Sequence, residues 1–203
     1  MMNKKGNGFI IAGLILLVIA AGLTAYNIVC SRLAQSDAEN IMEQLLPVVE
    51  ENAQRSKAEK KYPDYIKNPD MDMPVITVDS IECIGFLEIP ALSVKLPICS
   101  EWNYNNLYHA PCRYFGSVYL NNMIICAHNY NSHFGRLKSL SIGDKVYFTD
   151  TRGNRFDYRV AEFLTLEATS IEEMKNGNYG LTLFTCTVGG VSRIVLRCEK
   201  EEK

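Results

Sequence analysis

Apolar and polar positions divide the chain into three regimes. The first, residues 9–29, runs from Phe9 to Val29 without a charged side chain. A helix of that length spans about 31 Å, the thickness of a bilayer's hydrocarbon core, so the pattern predicts a membrane-crossing helix. The second regime, residues 30–75, is rich in Ala, Glu, Gln and Lys, with Ile41, Leu45, Val48 and Val49 at roughly helical intervals. Pro47 falls among them and is expected to end or kink this juxtamembrane helix. A linker then follows through Pro63 and Pro69 to Pro74. The segment reads as a solvated stalk whose role is reach, holding the rest of the chain clear of a bilayer.

The third regime, residues 76–199, changes period. Short β-favouring runs recur at 81–89, 117–120, 123–126, 145–149, 155–163, 181–185 and 193–196, separated by Gly-Asp, Arg-Gly-Asn and Gly-Gly punctuation. Helical stretches are expected at 104–109, 134–140 and 171–174. The pattern predicts an all-β fold: a closed β-barrel with a few short helices, preceded by the transmembrane helix and helical stalk. The last residues, 200–203, read as a charged tail.

Composition sharpens this picture. A formal charge of -2 and 47% hydrophobic residues fit one globular domain plus an apolar segment, and no basic patch with interleaved aromatics asks for nucleic acid. Lys4 and Lys5 precede the apolar run, whereas Asp37, Glu39 and Glu43 follow it beyond Arg32. The positive-inside rule then keeps residues 1–8 cytoplasmic and places the domain outside the cell. The run is longer than an ordinary signal-peptide core, which favours an uncleaved single-pass anchor over a cleaved leader.

Candidate chemistry lies at strand ends. Leu181-Thr182-Leu183-Phe184-Thr185-Cys186 ends on a thiol, Gly189-Gly190 reverses the chain, and the next strand opens on Arg193. Such a hairpin holds a sulfur nucleophile beside a fixed cation. Upstream, Met123-Ile124-Ile125-Cys126-Ala127 leads into His128, which supplies the missing acid–base group. Arg197 competes with Arg193, and His109 and His133 compete with His128. Seven cysteines in an exported chain invite disulfides, but a free Cys186 leaves an odd number in the domain, and Cys126 reads as a buried small hydrophobe. Neither zinc-ligand spacing nor a papain-like order, cysteine before histidine, is present. No cofactor or metal is expected.

These pieces resemble the sortase family of Gram-positive cell-surface cysteine transpeptidases. The family's Thr-Leu-x-Thr-Cys pattern is matched by Thr182 to Cys186, its arginine by Arg193 and its histidine by His128. Weaker agreement extends through Ile84-Gly85-Phe86, Lys95-Leu96-Pro97-Ile98 and Phe134-Gly135-Arg136-Leu137. Ala127 stands where the family usually has glycine, and the 187–192 turn is short for many members, so subclass and sorting motif stay open. The resemblance implies that Cys186 attacks a sorting motif like Leu-Pro-x-Thr-Gly in a secreted protein, forming a thioester. The acyl group then passes to an amine of a cell-wall precursor or a pilin subunit, with His128 moving protons and Arg193 steadying the oxyanion. A membrane-anchored cysteine hydrolase and a catalytically silent surface assembly module remain alternative readings.

Overall fold

Helix α1 (Lys4–Ala58) carries the chain without interruption from the apolar run to the flank of a nine-stranded sheet. The computed structural model describes residues 4–59 and 62–201, so residues 1–3 of the expected cytoplasmic end and 202–203 of the expected tail lie outside the described residues. The strands are β1 (Ile76–Val78), β2 (Ile81–Ile89), β3 (Val94–Cys99), β4 (Cys112–Phe115), β5 (Met123–Ala127), β6 (Lys145–Asp150), β7 (Arg155–Glu167), β8 (Leu181–Cys186) and β9 (Ser192–Lys200). Short helices α2 (Asp64–Lys67), α3 (Tyr104–His109) and α4 (Ile171–Lys175) punctuate them.

The strand order is β1-β2-β3-β4-β5-β8-β9-β7-β6, and a further pairing of β2 with β6 closes β2 through β9 into an eight-stranded barrel with β1 added at its side. Gly85 makes that closure possible. It sits at a bulge in β2 where the strand pairs with β3 and β6, and a Cβ there would fall 2.0 Å from the Thr149 carbonyl oxygen.

Side-chain alternation splits the strands into two faces. Met123, Ile125, Ala127, Leu181, Leu183, Leu196 and Cys198 fill the barrel interior. Ile124, Cys126, Phe184 and Val195 join a second, outer cluster with α1 residues Ile41, Leu45 and Val49. The helix is therefore docked, which corrects the expectation of a solvated stalk. Ala34, Ala38, Ile41, Leu45 and Val49 form a buried ridge at four- and three-residue steps, whereas Val48 is 40% exposed. The ridge packs on β1, β2, β3 and α3.

Nor does Pro47 end the helix. Both Pro47 and Glu43, whose carbonyl loses its usual partner, face solvent, so water replaces the missing bond while Leu45 and Val49 stay packed.

Other differences have local causes. Residues 117–120 form a turn, with Asn121 in the left-handed region at φ 55° and the Asn122 side chain accepting from the Ser117 N–H. Strands β3 and β4 escape the alternation rule because β3 buries nearly every residue and β4 is only four residues long. The stretch expected as helix at 134–140 contains only a single 3-10 turn, Leu137–Ser139.

All seven cysteines are free. Four form a row across the sheet, paired in register as Cys83 with Cys99, Cys99 with Cys112, and Cys112 with Cys126. The row shares the outer cluster with Ile41, Leu45 and Val49, and burial pushes the Cys83 and Cys126 thiols up to about 12.

Two tests follow from the docking. Leu45→Ala should lower unfolding stability by about 2–4 kcal/mol, while Val48→Ala, one helical step away on the solvent side, should change it by less than about 0.5 kcal/mol; urea titration distinguishes them. The second concerns His133, fully buried beside Ala34 of α1, whose imidazole burial pushes down to about 4. Between the unfolded value near 6.5 and the folded value the unfolded chain binds the extra proton, so stability falls as pH drops through that window, by roughly 2–3 kcal/mol in all. His133→Gln should flatten this part of the pH dependence when urea midpoints are compared across the window.

Candidate functional site

The site is built by one strand and its two neighbours. β8 runs parallel to β5 with Ala127 opposite Thr185, so the next residues, His128 and Cys186, emerge at one level on adjacent strand ends. β8 is also antiparallel to β9, with Cys186 directly opposite Arg193. Alternation puts Cys186 on the outer face with Phe184, and Arg193 on that face with Val195. Directly opposed residues hold their Cβ atoms about 5 Å apart, close enough for a guanidinium to serve whatever bonds to the sulfur.

Local sequence explains the geometry. The Thr185 hydroxyl, buried, donates to the Ala127 carbonyl oxygen at 2.8 Å, clamping the two strands one residue before the site. Beyond Cys186 the turn is closed by Thr187, whose N–H donates to the Ser192 carbonyl at 2.9 Å, and by Gly189 and Gly190 at φ 85° and 73°. The Arg193 guanidinium lies on this turn, donating to the Gly190 carbonyl at 3.0 Å and the Ser192 carbonyl at 3.3 Å. Side-chain rotation is needed to bring it over the sulfur.

The half-buried His128 ring stands edge-on to Tyr108 of α3, with centroids 5.9 Å apart, and beside Tyr130 at 5.0 Å. Burial lowers its pKa, which keeps the imidazole neutral and available as a base near pH 7. The competing residues are engaged elsewhere. His109 is bonded to Asp37 of α1 at 2.8 Å, and His133 is sealed between the barrel and α1. Arg197, opposite Thr182, donates to the Glu173 carbonyl at 2.8 Å and stacks over Tyr179, fastening the α4 loop. Around the thiol the outer face is apolar: Ile124, Phe184, Val195, Leu166 and Met174 with half-buried Tyr114.

A family model described as Sortase domain matches residues 87–201, more than half of the chain. The chain belongs to the sortase family.

Solved sortases share its fold. Sortase C of Streptococcus pneumoniae is 22% identical with a TM-score of 0.56, the match covering 82% of this chain and 96% of that one. A Clostridium perfringens sortase D5 transpeptidase is 18% identical with a TM-score of 0.53, covering 77% and 99%. Listeria monocytogenes sortase A is 24% identical with a TM-score of 0.52, covering 59% and 88%. These neighbours span classes A, C and D, so the sortase subclass stays open. No curated protein matches the chain in sequence.

The three residues expected from the sequence are thus brought to one end of the sortase barrel. Sequence reasoning missed their setting. Thr185 was visible only as part of a motif, not as the clamp between β5 and β8. Tyr108 and Tyr130 carried no signal at all, because their role depends on where α3 and the 128–133 loop lie. Thr185→Val should lower stability by about 1–2 kcal/mol through loss of a buried hydrogen bond, and Thr185→Ser, which keeps the hydroxyl, should retain most of it; thermal unfolding of the two variants provides the check.

Proposed function

We propose that the chain is a membrane-anchored cysteine transpeptidase. It cleaves an LPxTG-like sorting motif of secreted proteins and passes the acyl group to a cell-wall or pilin amine. The observation that carries this reading is the shared level of His128, Cys186 and Arg193, set by the register of β5, β8 and β9. The anchor is residues 9–29 of α1, a stretch long and apolar enough to cross a membrane and exposed along its length. With Lys4 and Lys5 inside, the barrel lies on the outer side.

Each role follows from the chemistry of the side chain. Neutral His128 takes the Cys186 proton as the sulfur attacks the carbonyl carbon of the scissile peptide bond, and negative charge gathers on the carbonyl oxygen. Arg193, released from the Gly190 and Ser192 carbonyls, supplies planar N–H donors to that oxygen. The imidazolium then gives its proton to the departing amine, leaving a thioester on Cys186. An incoming amine loses its proton to His128 as it attacks the thioester, and collapse of the second tetrahedral intermediate restores the thiol.

The full chain in nanodiscs, given a Leu-Pro-x-Thr-Gly peptide and an oligoglycine amine, should yield the joined peptide and a thioester adduct mapping to Cys186 by mass spectrometry. Cys186→Ala should yield neither. Release of free acid alone, even at high amine concentration, would make the chain a hydrolase. An unmodified Cys186 with every sorting peptide tried would favour the silent assembly module.

The acidic limb of kcat/KM should fall below the ~6.5 of an unperturbed imidazole. Because burial lowers the His128 pKa, the neutral base survives into mildly acid solution and is lost only as pH drops through the lowered value. A limb at or above that reference would contradict the role given to His128.

A further inference from the structure

Helix α1 leaves little room between the apolar span and the barrel. Only residues 30–33 separate Val29, the last residue of the span, from Ala34, the first buried one. At helical rise the step from 29 to 34 is about 7.5 Å, comparable to one headgroup layer. Three contacts fix which end of the barrel is nearer. Tyr26, inside the span, interacts with Tyr108 of α3. Tyr130 lies by Cys30, and His133 lies by Ala34. At the opposite end of α1, Asn52 donates to the Thr151 carbonyl at 2.9 Å and Ala53 sits against Gly153.

The strands that carry the site run from the far end to the near one. The turn before β5 is tied to the far end by Tyr119, whose hydroxyl donates to Asp150 at 2.8 Å, and β8 starts beside it, where Met123 N–H donates to the Gly180 carbonyl at 3.2 Å. Both strands finish at His128 and Cys186, beside Tyr108. The 187–192 turn continues past Cys186 at this same near end. This turn, Thr187-Val188-Gly189-Gly190-Val191-Ser192, holds no charge, and Val188 and Val191 are 93% and 76% exposed. Exposed Arg32 stands on the first turn of α1 past the span, at the depth of lipid phosphates.

We propose that the 187–192 tip, together with the Tyr108 side of α3, rests in the phospholipid headgroup layer of the anchoring membrane. Cys186 then opens onto the lipid–water interface and not toward the bulk exterior. This rests on the anchored reading above and adds an orientation to it. Apolar valines on a glycine turn and tyrosine rings suit that layer, which tolerates hydrogen-bonding groups while rewarding removal of apolar surface from water.

Trp102 is the single tryptophan, so Trp102→Phe gives a silent background for reporters. In full-length chain reconstituted into phosphatidylcholine nanodiscs, single tryptophans at Leu17, Val188, Val191 and Tyr62 would be compared. The quenchers are lipids with a spin label on the headgroup, bromine near the glycerol, or bromine deep in the chain. Leu17→Trp should be quenched most by deep bromine, and Val188→Trp and Val191→Trp at least twofold by headgroup label or shallow bromine. Tyr62→Trp, beyond the far end of α1, should stay unquenched. If the two tip reporters respond no more than Tyr62→Trp while Leu17→Trp is quenched, the span holds and the proposed orientation is overturned. If Leu17→Trp is also unquenched, the anchored reading fails and the orientation falls with it.

Discussion

The register of β8 with two different neighbours is the constraint on which the site depends. A strand's side chains change face with every one-residue slip, so the parallel pairing to β5 and the antiparallel pairing to β9 must hold together. Together they bring His128, 58 residues before Cys186 in sequence, to one level of one face with Cys186 and with Arg193, seven residues further on. The Thr185 hydroxyl bond to Ala127 guards the first register, and the glycine turn guards the second. Barrel closure at Gly85 holds the remaining strands in a ring, so that β8 has no free edge along which to drift.

Helix α1 adds a different kind of order. Its buried ridge covers barrel surface that would otherwise be wet, and the Asp37–His109 bond ties it to α3, which in turn supports His128 through Tyr108. His128 is therefore held from two sides: by its own strand end, and by a helix whose seat depends on α1. Exposed ion pairs contribute little in such an arrangement; the apolar contacts of Ile41, Leu45 and Val49 supply most of the attachment.

Much of this was legible in the chain. The Thr182 to Cys186 run, the Gly-Gly turn and Arg193 announce a hairpin with a cysteine facing an arginine at its end, because turn glycines and β-branched alternation are local signals. Helix α3 was legible for the same reason, with Asn103 capping it through the Asn106 N–H. What escaped depends on partners remote in sequence. Ala34 and Ala38 look neutral in an amphipathic count, yet their small side chains let α1 approach the barrel closely. Pro47 reads as a break until its solvent-facing position is known. β3 and β4 lack alternation because one is buried on both faces and the other is too short to show a period.

The row of thiols has a consequence of its own. Seven identical functional groups occupy one chain, and an oxidant or electrophile would meet all of them with equal intrinsic appetite. Packing breaks that equality. Cys83, Cys99, Cys112 and Cys126 lie in the cluster completed by α1, while Cys186 stands half-buried at the strand end. Shelter for those four thus favours attack at Cys186 over the row beside it. A fragment trimmed at the start of the barrel would lose part of that shelter.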